Sequence, residues 1–229
     1  MKKLLLLSVL ATIISSNVSF SQSVGFSYFF PKNGYFGNPI APVSLSLPVS
    51  LGNYLRISPG ISMSNIGGMS LSGLPEEYNS KRALIGPFQD LSLSLEPSIV
   101  IPTKNVEVEL LGGIFGFTSF NTRLKKGNFD EMIMETHDYD MMNSSYEIDP
   151  KAFGWGWVFG VQLDFRLQGE IWGFIAGRYY LGQQEIPISG DISYLKDGIV
   201  STNNFSFENA AMNYQGFEIT IGGGLKKKK

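Results

Sequence analysis

The sequence FGWGWVFGVQLDFRL, residues 153–167, divides its side chains between two different surroundings. Its odd positions hold only large apolar side chains: Phe153, Trp155, Trp157, Phe159, Val161, Leu163, Phe165 and Leu167. The even positions hold mainly glycine and polar residues. A period of two predicts a β-strand with two unlike faces. Because a small barrel has room inside only for filling side chains, we expect the aromatic face to point outwards, towards lipid.

The same alternation recurs along the chain and predicts an all-β fold, an eight-stranded antiparallel up-and-down transmembrane β-barrel. The predicted strands are residues 23–30, 41–51, 55–63, 91–101, 106–118, 153–167, 170–182 and 214–224. Short turns at 52–53, 103–105 and 168–169 alternate with long polar connections at 65–87, 119–152 and 183–211. Short periplasmic turns and long outer loops are typical of outer-membrane barrels.

The first 21 residues have the features of a cleaved signal peptide. Lys2 and Lys3 precede an apolar segment, and small residues stand at Ser19 and Ser21. We therefore predict a signal peptide at 1–21, a barrel at 22–225 and a soluble basic tail at 226–229. The apolar segment is too short to span a membrane as a helix, so we expect export to the outer membrane of a Gram-negative bacterium.

Composition excludes several classes of protein. The chain has no cysteine, which excludes a disulfide scaffold and lipid attachment to an N-terminal cysteine. The formal net charge of −2 gives no indication of nucleic-acid binding. We expect the partners to be outer-membrane lipid and, at the outer loops, a protein. Neither a metal nor a cofactor is predicted.

Aromatic residues concentrate near the ends of the strands that adjoin the long loops. Amphipathic rings at this height form the interfacial girdle of a membrane barrel. The predicted upper girdle comprises Tyr28, Phe30, Phe115, Phe117, Trp155, Trp157 and Tyr179. The alternative is a soluble lipocalin-like barrel. Its outward face would carry charge, and the outward face of these strands does not.

In strand pattern, loop asymmetry and signal peptide, residues 22–225 resemble the small eight-stranded outer-membrane barrels of the OmpA, OmpX and OmpW kind. No motif specific to one family is present. The resemblance implies a barrel surrounded by outer-membrane lipid. One feature differs from the pattern. Such barrels usually end on an aromatic residue, whereas here Phe217, Ile219 and Ile221 precede a glycine-rich end and four lysines.

Alternation also places charged residues inside the barrel. The predicted interior charge network comprises Arg56, Glu96, Glu107, Glu109, Asp164, Arg166, Glu170, Arg178 and Glu218. We expect Arg166 to reach Glu107 or Glu109, and Arg178 to lie near Glu218. A narrow barrel must satisfy its buried polar groups, so the network has a structural interpretation. A narrow channel is the alternative, and its surplus of carboxylates would favour cations.

No catalytic residues are predicted. The single histidine, His137, lies in a long loop with Ser144 and Ser145 downstream and could act as a general base beside a serine. Pro48, Pro59 and Pro97 remove hydrogen-bond donors from strands, which predicts bulges or a seam that admits a lipid chain. The spacing of known lipid-modifying sites is absent, so we favour a protein that is not an enzyme.

The segment 121–151 is rich in acidic residues and methionines. Methionine suits an adaptable contact surface, but a solvated loop explains the same composition. The ordered spacing of a calcium-binding loop is missing. The sequence thus predicts a structural or interaction role, with a narrow channel for small solutes or hydrophobic molecules as the second hypothesis and a lipid-modifying enzyme as the third.

Overall fold

The computed structural model describes residues 18–36, 43–78 and 82–226. The predicted signal peptide lies outside these ranges up to residue 17, as do the last three lysines. The wall strands are β1 (Val18–Pro31), β2 (Val43–Ser46), β3 (Val49–Leu51), β4 (Leu55–Ile66), β6 (Phe88–Pro102), β7 (Val106–Phe120), β9 (Gly154–Gln168), β10 (Ile171–Glu185) and β13 (Ala211–Lys226). The other elements are β5 (Leu71–Ser72), a short 3₁₀ helix (Glu76–Tyr78), α1 (Lys126–His137), β8 (Met141–Ile148), β11 (Ile188–Lys196) and β12 (Ile199–Phe207).

The wall strands form a closed antiparallel barrel, because β13 pairs with both β10 and β1. Strands β2 and β3 share one wall position, and β5 is a two-residue addition, which leaves eight positions around the barrel. The predicted eight-stranded barrel is confirmed. The turns at 52–54, 103–105 and 169–170 lie at the same end as Val18 and Lys226. We call this end the short-turn rim and the opposite end the long-loop rim.

Every wall strand differs by a few residues from its predicted bounds, and two of the differences change the description of the wall. Strand β1 begins at Val18, four residues before the predicted mature N-terminus, Gln22. The predicted strand 41–51 is interrupted between β2 and β3 at Leu47 and Pro48. The Leu47 N–H group bridges this interruption by donating to the Pro59 carbonyl over 3.0 Å.

The outer face of the barrel is apolar. Trp155 and Leu167 on β9 are 67% and 61% exposed, and the odd positions between them are exposed or half-buried. Strands β4, β6, β7 and β10 likewise expose isoleucine, leucine and valine. Burying such a surface in hydrocarbon is favourable, whereas a water-facing belt of this kind is costly. No α-helix in the described ranges is long and apolar enough to cross a membrane.

Three wall strands continue beyond the long-loop rim. Strand β8 leads into β9, β10 leads into β11, and β12 leads into β13, and the upper strands keep the lateral order of the lower ones. Backbone hydrogen bonds span the junction: Lys151 N–H donates to Glu185 O, Asp149 N–H to Pro187 O, and Ile186 N–H to Ala210 O. The sheet of β8, β11 and β12 therefore extends the barrel wall outwards.

Helix α1 packs on the inner face of this extension. Phe129, Met132 and Ile133 of α1 are buried, as are Ile188 and Ile192 of β11. We call α1, β8, β11 and β12 together the cap. The long connection 119–152, predicted as a polar loop, thus contains a helix, a strand and a share of the hydrophobic core.

Candidate functional site

Charged side chains meet inside the barrel near the short-turn rim. We call this group, formed by Arg56, Glu107, Glu109, Asp164 and Lys226, the lower cluster. Arg56 Nη2 lies 2.8 Å from Glu107 Oε2, Arg56 Nη1 lies 3.0 Å from Asp164 Oδ2, and Arg56 is also paired with Glu109. Lys226 Nζ lies 2.8 Å from Glu107 Oε2 and is paired with Asp164. Arg56, Glu109 and Asp164 are each at most 5% exposed, so these charges depend on one another.

Two predicted members of the network lie elsewhere. Arg166 is exposed and donates from Nε to the Gly169 carbonyl rather than to Glu107 or Glu109. Glu170 is exposed in the turn before β10. Both lie at the edge of the rim, where a side chain reaches water more easily than the interior. The expected contact of Arg166 is made by Arg56, which reaches across the barrel from β4.

Lys226 is the second cation of the lower cluster, although the sequence assigned it to a soluble tail. It is the last residue of β13, and its backbone N–H donates to Glu170 O. Its ammonium group also lies 4.3 Å from the centroid of the Trp172 ring. The chain has a lysine at the strand end where an aromatic residue is usual, and here that lysine is paired with interior carboxylates.

The three carboxylates of the lower cluster have the spacing of metal ligands. One oxygen from each of Glu107, Glu109 and Asp164 lies within 4.8 Å of the other two. Arg56 and Lys226 already supply positive charge to these oxygens. The donor set is therefore compensated by the protein's own cations.

The upper cluster, Glu96, Arg178 and Glu218, lies farther from the short-turn rim. Arg178 and Glu218 are register partners on β10 and β13, with Nη1 and Oε1 3.8 Å apart. Arg178 Nε donates to Glu96 Oε2 over 2.9 Å. Glu218 Oε1 also accepts hydrogen bonds from Tyr180 Oη at 3.2 Å and Thr220 Oγ1 at 3.0 Å.

Gln162 connects the two clusters. Its Nε2 donates to Asp164 Oδ1 over 2.8 Å, and its Oε1 accepts from Arg178 Nη2 over 3.3 Å. Hydrogen-bonded side chains therefore run continuously from Lys226 to Tyr180. The sequence places Gln162 on the inner face by parity, but nothing in its pattern distinguishes it from other interior polar residues.

An aromatic layer covers the upper cluster on the side of the long-loop rim. The layer consists of Phe29, Phe115, Phe117, Tyr180 and Tyr214, all at most 8% exposed. Ring centroids lie 4.4 Å apart for Phe117 and Tyr214, and 4.9 Å apart for Phe115 and Tyr180. Rings at these distances are in direct contact and fill this part of the interior.

The prediction that Phe115 and Phe117 belong to the outer girdle is wrong. Alternation along β7 is unbroken, so these odd-numbered residues share the inner face with Glu107 and Glu109. Inward-facing glycines make room for them: a Cβ atom at Gly154 would lie 2.3 Å from the Phe117 ring, and one at Gly182 would lie 2.7 Å from the Phe115 ring. Of the other predicted girdle residues, Tyr179 is half-buried and four are exposed: Tyr28, Phe30, Trp155 and Trp157.

Asp90 is a buried charged residue that the sequence analysis did not identify. It is 0% exposed and accepts hydrogen bonds from Ser64 Oγ at 2.5 Å and Tyr214 Oη at 3.0 Å. It has the same parity along β6 as Ser92 and Ser94, and this periodicity could have placed it inside. Asp90 thereby anchors the aromatic layer through Tyr214.

The cavities beside the upper cluster are small. Two cavities among the serines and the upper cluster have volumes of about 40 and 20 Å³. These volumes suit one or two water molecules each. A larger cavity of about 380 Å³ opens at the short-turn rim and is lined by Arg56, Trp172 and Lys226, among others. The lower cluster forms its inner end.

His137 lies at the end of α1, in the cap. Its Nε2 is 2.6 Å from Tyr78 Oη, and its ring stacks on Tyr139. Burial and the nearby Glu77 carboxylate raise the pKa of the Tyr78 hydroxyl, which therefore stays protonated at neutral pH. Ser144 instead donates to Asp130 over 2.5 Å, so its described partners do not include His137.

No family model matches the chain, and no curated protein sequence matches it at a significant level. Solved structures of outer-membrane proteins have a similar fold. OprG from Pseudomonas aeruginosa is 12% identical, with a TM-score of 0.44 over 93% of this chain and 95% of that chain. A major outer membrane protein from Thermus thermophilus is 13% identical, with a TM-score of 0.49 over 92% of this chain and 100% of that chain. Ail, the attachment invasion locus protein of Yersinia pestis, is 12% identical, with a TM-score of 0.38 over 92% of this chain and 97% of that chain.

Proposed function

We propose that the chain is an outer-membrane barrel with a structural or interaction role, which displays its cap to a protein partner and does not act as an open channel. The observation that carries this proposal is the combination of a filled interior with an ordered extension of the wall. An apolar outer face supports the membrane location. Short turns on one rim support an orientation with that rim in the periplasm and the cap outside.

The filled interior argues against a channel for solutes. A conducting path needs continuous space, whereas the cavities beside the upper cluster measure about 40 and 20 Å³ and the cavity of about 380 Å³ lies at the short-turn rim. The charges are paired across the barrel, and separating them would leave buried charges without partners, which costs free energy. Their role in this account is to satisfy and rigidify a narrow interior.

The surroundings of His137 support a role other than catalysis. Its ring is held between Tyr78 and Tyr139. Lys196 Nζ donates to the His137 carbonyl over 2.9 Å and thereby ties the end of α1 to β11. These contacts hold the helix against the sheet of the cap.

Affinity purification from the native outer membrane tests the interaction role. The tagged mature protein is extracted in a gentle detergent, and its bound proteins are quantified by mass spectrometry. The proposal predicts one protein in stoichiometric amount. The matched control is a variant in which short glycine and serine linkers replace the whole cap, α1 with β8 and β11 with β12. Recovery of the chain alone, or equal recovery of the same protein with this variant, contradicts the proposal.

A further inference from the structure

The free edge of β12, on the side away from β11, pairs with no strand in the described ranges, although Tyr78 packs on Phe207 near one end of the strand. Strand β12 pairs with β11 without a register shift, from Ile188 opposite Phe207 to Lys196 opposite Ile199, and within the described ranges it has no second neighbour. Its sequence, IVSTNNFSF, contains neither a charge nor a proline. Natural proteins protect exposed edges with lysine, proline, bulges or a covering segment, because an open edge recruits another strand.

Two apolar side chains at the start of β12 are unusually accessible. Val200 is 74% exposed, the highest value among the large apolar side chains in the described ranges, and Ile199 is 66% exposed. The lipid that explains the outer face of the barrel does not explain these residues, because β12 belongs to the cap beyond the rim. The opposite edge strand, β8, carries the exposed carboxylate of Glu147 and is flanked by Asp140 and Asp149. Acidic residues flank both edge strands, Asp197 and Glu208 in the case of β12, but only β8 has a charge within the strand.

The backbone hydrogen bonds between β13 and its neighbours on the side of β1 end at Ala211, near the junction with β12. Strand β1 pairs with β13 from Lys226 up to Gly216, and Lys32 N–H donates to Gln215 O. Asn213 N–H then donates to Ser70 O, and β5 pairs with Met212 and Ala211. Segments of this chain therefore occupy that side of the wall along all of β13. A further strand beside β12 would continue the same ladder.

We propose that a partner protein adds an extended, uncharged strand to the free edge of β12, with apolar residues opposite Ile199 and Val200. Main-chain hydrogen bonds would provide affinity, and the alternating side chains would provide specificity. This inference rests on the proposed interaction role and names the site of the partner. An antiparallel pair of β12 strands from two copies of this chain does not fit. Antiparallel pairing of two β12 strands needs a two-fold axis perpendicular to the sheet, which would turn one barrel upside down in the membrane.

Site-specific photo-cross-linking in intact outer membranes tests this site. A photoreactive amino acid replaces Val200, Thr202, Asn204 or Ser206 in turn, and Asn143 or Ser145 on β8 provides the control. Adducts are digested and sequenced. The expected result is a captured residue that moves two positions along the partner for each two-residue step along β12, with no such series from β8. No adduct from β12, a series from β8, scattered residues, or a captured second copy would overturn the inference.

Paired lysine variants separate this inference from the proposed function. The double substitution Thr202→Lys with Asn204→Lys adds charge to the β12 edge, and Asn143→Lys with Ser145→Lys adds the same charge to β8. We expect the β12 variant to lower recovery of the partner about tenfold or more, and the β8 variant to leave it unchanged. A partner recovered equally with both variants leaves the interaction role intact and rejects β12 as its site. Failure to recover any partner with the wild-type chain rejects both.

Discussion

Arg56 Nη1 lies 3.0 Å from Asp164 Oδ2, although strands β6 and β7 separate these two residues along the wall. The contact therefore crosses the barrel interior. It joins opposite parts of the wall through side chains that are both almost fully buried. Such pairs are strongly interdependent, because removing one partner leaves the other charge buried and uncompensated.

Replacing Arg56 by methionine should destabilise the barrel strongly. Glu107, Glu109 and Asp164 would keep only Lys226 as a counter-charge. We expect Arg56→Met to lower the free energy of unfolding by about 3–5 kcal/mol, the usual effect of breaking a buried pair. Urea unfolding in detergent or vesicles, followed by tryptophan fluorescence, measures this change.

Arg166→Met is the matched control for Arg56→Met. Arg166 is exposed and has only a backbone carbonyl as its described hydrogen-bond partner, so we expect a change within about 0.5 kcal/mol. Equal effects of the two substitutions would show that the interior pairing does not set the stability of the barrel.

Lys226→Met tests whether the end of β13 is part of the interior network. This substitution removes contacts with Glu107, Asp164 and the Trp172 ring. We expect a loss of about 1–3 kcal/mol, because Arg56 continues to compensate part of the charge. Lys104→Met, in a turn of the same rim, should leave the unfolding midpoint unchanged. A Lys226 variant as stable as the Lys104 variant would favour the soluble-tail interpretation.

Phe117→Ala tests the aromatic layer. Phe117 is 1% exposed and packs on Phe115 and Tyr214. Truncation of a buried phenylalanine typically costs about 3–5 kcal/mol in the free energy of unfolding. Phe120→Ala, three residues along the same strand at a 45% exposed position, should cost much less. If the outer substitution proved the more damaging, the inward orientation of Phe117 would be wrong.

Ile133→Ala tests the order of the cap separately from that of the barrel. Ile133 is 0% exposed in the core between α1 and the extension of the wall. Its truncation should weaken local packing by about 2–5 kcal/mol and speed amide hydrogen exchange in α1 and β11. Exchange in β9 and β10 below the rim should remain slow. Fast exchange in the wild-type cap would contradict the ordered structure described above.

The barrel follows closely from the sequence, since alternation has a period of two and each wall strand shows it. Applied strictly, the same rule also places the side chains of Phe115 and Phe117 on the inner face, because they share parity with Glu107 and Glu109. Their height along the strand and their residue type instead suggest a place in the girdle. Height along a strand does not determine which face a side chain occupies.

Contacts across the barrel were harder to predict. Arg166 lies on a strand next to the one that carries Glu107 and Glu109, so the order of strands alone suggests that it pairs with them. Arg56 lies farther along the wall and reaches these carboxylates only because the sheet closes into a barrel. Lys226 belongs to a run of four lysines, and such a run predicts a solvated tail. Closure brings it beside β1 and opposite β7, a relation that no local pattern contains.

The helix and strands of the cap could not be predicted from the sequence, because the long connections that contain them are polar in composition. Phe129, Met132 and Ile133 do have the i, i+3, i+4 spacing of one helical face. The segment is short, and its helical pattern is interrupted by polar residues. Its stability comes from packing on β11 and β12, whose sequences lie more than fifty residues away.

The closed interior, on which the proposed role depends, is tested most directly by conductance of the purified mature protein in a planar lipid bilayer. We expect no steady current steps above those of the empty membrane for the wild-type chain. Reproducible ohmic steps that change in size or ion selectivity with Arg178→Met or Glu218→Gln would show a path through the upper cluster. That result would contradict the filled interior and make a narrow channel the better description of this protein.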